Sequence, residues 1–201
     1  MAYNPDKIIE KILADFQDLD YIRPEDIPDI GLYMDQVTTF MDDRLQKNAR
    51  TEGEKILTKT MINNYTKQKL LPPPVKKKYS REHLLIMLFI YYYKGTLSLQ
   101  DLRTLLQPLS DQCFHNPAGP DISDVYLEVF HTAEKHIASF SDEIRSLAES
   151  SAASFDGIQG ENREFLQFFA LISSLVLNTY INRRVIEQLI DDYDKHTQEK
   201  P

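Results

Sequence analysis

Seven lysines and one arginine crowd the stretch from Lys55 to His83, opposed by Glu82 alone. That is a net charge of about +7 inside a chain whose total is −8. A basic island in an acidic protein points to a polyanion-facing module. The spacing within it separates two kinds of chemistry. Lys59, Thr60, Asn63, Asn64 and Lys67 recur at helical intervals on a polar face. Asparagine can bind adenine with two hydrogen bonds, and threonine can contact base edges or phosphate. Thr58 can cap this helix, whose free N-terminal amides favour a phosphate. Met61, Ile62 and Tyr65 supply an anchor to the core or a stacking edge. A solvated helix face is the plainer reading of the same residues.

The second kind is the run Lys76, Lys77 and Lys78, followed by Tyr79. It reads as a wing tip laid on the sugar-phosphate backbone, each lysine–phosphate contact releasing about one counterion. A solvated charge run at a turn has the same composition. Three prolines, Pro72 to Pro74, separate helix from wing, because proline removes an amide donor and turns its predecessor out of helix.

Other chemistry is thin. Cys113 and His115 stand two apart with Asp111 nearby, too few ligands for a zinc site. His131 and His136 with Glu128 and Glu134 lack the HExxH order and fit a solvated face. There is no phosphate-binding glycine loop, dinucleotide fingerprint or G-x-S-x-G, so no catalytic constellation, cofactor or metal is expected. Asp191, Asp192 and Asp194 read as solubilising charge.

Helices must position these groups, since strand signals are scarce. A first helix is expected with Asn4 as cap, Pro5 at its first position, and Ile8, Ile9, Ile12, Leu13 and Phe16 on one face. A second spans about Asp29 to Leu45, with Ile30, Tyr33, Val37, Phe40 and Met41 at helical spacing. A polar loop through Gly53 leads to the third, about Thr58 to Leu70. Val75 to Tyr79 can be extended. Ser80 caps a fourth helix, with Leu84, Leu85, Leu88 and Tyr91 or Tyr92 inward, ended by Gly95. A fifth begins at Ser98, whose spacing to Asp101 is that of a capping box. Pro108 is expected to close it, and residues 107–123 read as a loop. Beyond lie two long helices. Tyr126, Phe130, Ala133, Ile137, Phe140, Ile144 and Leu147 form a heptad seam, which serves either a dimer or packing inside the chain. The other spans about Glu161 to Tyr193 and is apolar all round in its first half. Phe165 to Ile181 falls short of the ~20 residues that cross a bilayer, so a buried core helix or subunit-interface helix is expected. It also has the apolar wealth to line a small-molecule pocket.

The chain has 201 residues, 42% hydrophobic and 27% charged, which describes a globular protein of one large or two small domains. Its single cysteine excludes an intramolecular disulfide and fits a reducing cytosol. The charged first turns do not form a secretory signal.

The run TKTMINNYTKQKLLPPP, then KKKYS, then a pair of helices closing in SLQDLRTLL, resembles the MerR-type winged helix-turn-helix of bacterial regulators. It is also similar to a Gram-positive family of unknown function built on that module. The resemblance covers about Asp29 to Leu106. It implies that Thr58, Lys59 and Thr60 start a recognition helix, with Thr60 where the family has arginine. Asn64 and Tyr65 match its paired aromatics, of which Tyr65 is kept. Lys67 matches a basic position. Lys76, Lys77 and Lys78 match the wing, without its Gly-Tyr-Arg tip. The segment between Leu45 and Thr58 is longer than the family's turn, and Pro108 intervenes before any dimerisation helix.

The resulting expectation is a mainly α protein: an N-terminal helical arm (1–28), a winged helix-turn-helix-like module (29–107) and a helical dimerisation or sensing region (121–195) forming a hairpin or bundle. Its function would be that of a cytoplasmic, homodimeric regulator of transcription that binds double-stranded DNA and responds to a small-molecule effector of unknown identity. The alternative is a helical interaction module whose winged helix does not bind DNA, favoured by the net charge of −8.

Overall fold

The computed structural model describes residues 5–17, 21–51, 53–114, 116 and 118–198. Among them are seven α-helices and one two-stranded sheet, so the protein is mainly α. Two compact units divide it: residues 22–128 with 187–201, and residues 1–21 with 129–186. The first is wider than the 29–107 module expected from sequence. Asn4 and His115 lie outside the described residues, as does the side chain of Phe16.

The larger unit is built around α4 (Arg81–Tyr93). Eight consecutive residues, His83 to Ile90, are buried, so this helix has no solvent face over two turns. α2 (Met34–Leu45) buries Val37, Met41 and Leu45 in the same unit and lies beside α3 (Lys59–Lys67), which buries Ile62 and Tyr65. Leu102 and Leu106 of α5 (Leu99–Cys113) are also buried. So is Tyr126 of α6 (Ile122–Ala152), whose ring meets Phe89 edge-on at 5.2 Å. His83 closes the start of α4. Its Nδ1 accepts from the Ser80 amide at 3.0 Å, and Nε2 faces the Pro73 carbonyl at 3.4 Å.

Two expected boundaries change. The second helix starts at Met34, not Asp29, because Leu32 and Tyr33 form a strand, β1. It pairs antiparallel with β2 (Lys78–Tyr79), in the register Leu32 to Tyr79 and Tyr33 to Lys78. That partner lies some 45 residues downstream, beyond the reach of local periodicity. Gly31 permits the approach: a Cβ there would sit 3.0 Å from Lys78 Cβ. The fifth helix continues through Pro108 to Cys113, so the loop expected from 107 begins only at Phe114. An interior proline costs a helix about 3 kcal/mol. Burial of Leu106, Ser110 and Cys113 on both sides of it offsets that cost.

The smaller unit holds α1 (Pro5–Gln17), most of α6, and α7 (Glu161–Gln198) up to residue 186. Leu13 is buried, and Arg145 grips both oxygens of Glu10 at 2.8 and 3.1 Å. The Arg145 guanidinium holds the Glu10 carboxyl below its usual range. Tyr21 stacks on Phe130 with ring centroids 4.4 Å apart. The seam of α6 follows its heptad only in part. Tyr126 and Phe130 are buried, but Phe140 is 58% exposed and Ser141 takes the buried position beside it. A straight helix of 3.6 residues per turn drifts off a 3.5-residue seam, and over three heptads the buried line moves to a neighbouring position.

Of the two expectations for α7, a buried core helix or a subunit-interface helix, the buried core helix is overturned. Phe165, Phe169, Val176, Tyr180 and Ile181 are all more than half exposed. Nor does length exclude a membrane span, because α7 runs for 38 residues. By length and composition it is long and apolar enough to cross a bilayer, and only 6% of its most apolar stretch is buried.

Candidate nucleic-acid interface

The polar face of α3 is built from both ends. Thr58 caps it, its Oγ1 accepting from the Met61 amide at 3.2 Å. Lys69, at φ +60°, stops it. The Leu70 amide bonds to the Tyr65 carbonyl at 2.9 Å and the Lys69 amide to the Thr66 carbonyl at 3.1 Å. Those two bonds and the left-handed residue make a Schellman ending without the usual glycine. Ile62 and Tyr65 turn inward, and Lys59, Thr60, Asn63, Asn64 and Lys67 are all exposed. At 100° per residue these five occupy an arc of about 140°, and they span about 12 Å along the axis. The ~12 Å width of the B-DNA major groove admits the ~10–12 Å diameter of such a helix.

The lysine run makes a two-residue turn. Val75 and Lys78 exchange both backbone hydrogen bonds, at 3.1 and 2.9 Å. Lys76 and Lys77 between them have φ +50° and +65°. Positive φ at both central residues is the signature of a type I′ hairpin turn, for which Asn-Gly is the favoured pair. Both side chains are exposed. Lys78 behaves differently: it lies in β2, its Nζ 5.2 Å over the Tyr33 ring.

Two aromatic residues expected at the interface belong instead to the core. Tyr65 is 6% exposed and Tyr79 is 3% exposed, so neither ring can stack on a base. Burial raises the pKa of both phenols. Their inward direction follows from their place. Tyr65 shares the buried face of α3 with Ile62, and Tyr79 alternates with the outward Lys78 along β2. Tyr79 also meets the His83 ring edge-on at 5.4 Å. Lys59 forms a close ion pair with Asp35 of α2. Both partners are solvent-exposed, so a phosphate can displace the carboxylate at little cost.

The long segment between α2 and α3 is anchored. Asp42 accepts from the Ile56 amide at 3.2 Å and pairs with Lys55 Nζ at 3.1 Å. Lys94 Nζ donates to the Ile56 carbonyl at 3.3 Å, and Ile56 and Leu57 are buried. The apolar pair Ile56–Leu57 ahead of the Thr58 cap was the readable signal for this docking.

Beside the end of α3, a cleft of about 510 Å³ is lined by residues that include Thr66, Lys69, Pro72, Ser110 and Asp111. Cys113 is buried, and burial with Asp121 nearby pushes its thiol up, so the thiolate is disfavoured. Among the described residues no three metal-ligating side chains cluster.

One family model matches, over residues 22–129: a domain of unknown function, DUF1836. The chain belongs to the DUF1836 family. No curated protein and no solved structure matches it. The DUF1836 match covers nearly the same residues as the 22–128 segment of the larger unit, so the family's common part is the α4-centred body that carries α3 and the lysine turn.

Proposed function

We propose that the DUF1836 domain of this protein is a winged helix-turn-helix-like module that binds double-stranded DNA, and that the protein is a cytoplasmic regulator of transcription. α3 would enter the major groove through Thr60, Asn63, Asn64 and Lys67. Thr58 and Lys59 would meet a phosphate at its N-terminus, and Lys76 and Lys77 would lie on the backbone. The resemblance of Thr58–Tyr79 to MerR-type regulators supports this reading.

The observation that carries it is the Lys76–Lys77 turn. Two non-glycine residues hold left-handed backbone conformations, each costing about 1–2 kcal/mol, at a turn where Asn-Gly would be relaxed. Backbone strain at an exposed position, spent on two outward cations, marks a binding site more than a structural one.

Fluorescence anisotropy with pooled duplex fragments tests the proposal. Binding should occur at low salt and weaken steeply as salt rises. Replacing Asn63 and Lys67 with alanine should weaken it further while the fold is retained. Absence of binding at low salt would overturn the DNA reading and leave the module as a protein-interaction surface.

A further inference from the structure

Phe165, Phe169, Ile172, Val176 and Tyr180 follow one another at spacings of four, three, four and four. Each is exposed, by 63, 57, 42, 60 and 59% respectively. At 100° per residue they fall within an arc of about 80°, a narrow stripe down the first half of α7. The opposite side of the helix is engaged within its own unit. Leu171 is buried, Gln167 Nε2 donates to the Ser154 carbonyl at 3.1 Å, and Asn178 Nδ2 donates to Glu143 Oε1 at 3.3 Å. α7 therefore has two apolar sides, of which its own chain covers one. A contiguous exposed apolar patch of this size marks an interaction surface.

We propose that this stripe pairs with the same stripe of a second copy, the two α7 helices running antiparallel about a two-fold axis beside Ile172. The stripe is symmetric about that point. With the axis between residues 172 and 173, Phe165 faces the other copy's position 180, an aromatic against an aromatic. Phe169 faces position 176, a large side chain against a small one. A surface that complements itself under a two-fold rotation is the requirement for a closed dimer.

Charge selects the direction. Antiparallel pairing brings Glu164, near the N-terminal end of one α7, alongside the Arg183–Arg184 end of the other. Parallel pairing would set Glu164 against Glu164, and the arginines against each other. Opposed helix dipoles favour the antiparallel arrangement too. The five side chains of the stripe offer roughly 500 Å² per copy, the larger part of the ~800 Å² per partner of a stable complex. A membrane is the poorer occupant. Spanning would tear Gln167, Leu171 and Asn178 from their present partners, and an 80° stripe is narrower than the apolar face of an interfacial helix.

Sedimentation velocity of the full chain at micromolar concentration should show a dimer without DNA. Phe169→Asp with Val176→Asp should give a monomer with unchanged helical circular dichroism, since both side chains are exposed. A short bis-maleimide should join Ile172→Cys across the dimer but not Phe165→Cys. Two copies of residue 165 lie about 22 Å apart along antiparallel helices. Mass spectrometry identifies the joined residues, so native Cys113 stays in place. A monomeric wild type overturns the proposal, as does equal cross-linking at both positions, which would mean parallel helices. A monomer that pellets with phosphatidylglycerol vesicles would assign the stripe to a membrane surface instead. Because no DNA is present, a dimer that fails to bind DNA leaves this inference standing and overturns only the DNA reading.

Discussion

Replacing Lys76–Lys77 with Asn-Gly should move stability and DNA affinity in opposite directions. The two lysines have φ +50° and +65°, and each pays about 1–2 kcal/mol for a left-handed conformation. Asn-Gly relieves most of that, although glycine returns about 0.5–1 kcal/mol through its freer unfolded chain. The variant should therefore gain about 1–2 kcal/mol. At a urea dependence of ~2 kcal/mol per molar, the unfolding midpoint would rise by about 0.5–1 M. The same change removes two phosphate contacts, which should lower the slope of log affinity against log salt by about 1.8. Urea unfolding followed by circular dichroism gives the first quantity, and anisotropy across a salt series gives the second. Unchanged or lower stability would refute the strain argument, because it would mean that the lysine side chains make native contacts worth more than the turn. Higher stability with an unchanged salt slope would refute the wing's contact with phosphate.

Three further outcomes follow from the geometry. Thr58→Ala removes the acceptor for the Met61 amide and should cost about 1 kcal/mol in urea unfolding, with Thr58→Ser restoring most of it. His83→Ala empties a site 1% exposed and strands the Ser80 amide, so it should destabilise by about 2–4 kcal/mol, again read from the unfolding midpoint. Stability should also fall in strong alkali. Burial pushes the Tyr92 phenol from 10.0 up to about 12, so the fold holds its proton while the unfolded chain releases it. This contribution is intact below about pH 10 and lost as pH rises toward 12. Tyr92→Phe should accordingly shrink this alkaline loss of helix, and an alkaline unfolding profile unchanged by that substitution would contradict it.

The local elements were legible because their causes are local. Thr58, Ser80 and Ser98 each announce a helix, and each stands at a helix start. The apolar run of α4 needs no partner to be recognised as core. Pro108 misled because a proline's cost is local while the burial that overrides it is not. β1 was invisible for the same reason: two residues become a strand only when Lys78 and Tyr79 arrive beside them.

At the candidate interface, sequence supplied the order of polar helix, proline corner and lysine turn, since residue type and spacing are written in the chain. Direction was beyond it. Tyr65 and Tyr79 have the composition of stacking aromatics, yet packing turns both into the core. Lys78 lies on Tyr33, while Lys76 and Lys77 reach solvent only because the type I′ turn twists them outward. For α7 the sequence established an apolar helix by itself. Which of its sides the chain would leave uncovered depended on where α6 ends and how α7 returns, and that is settled by tertiary packing alone.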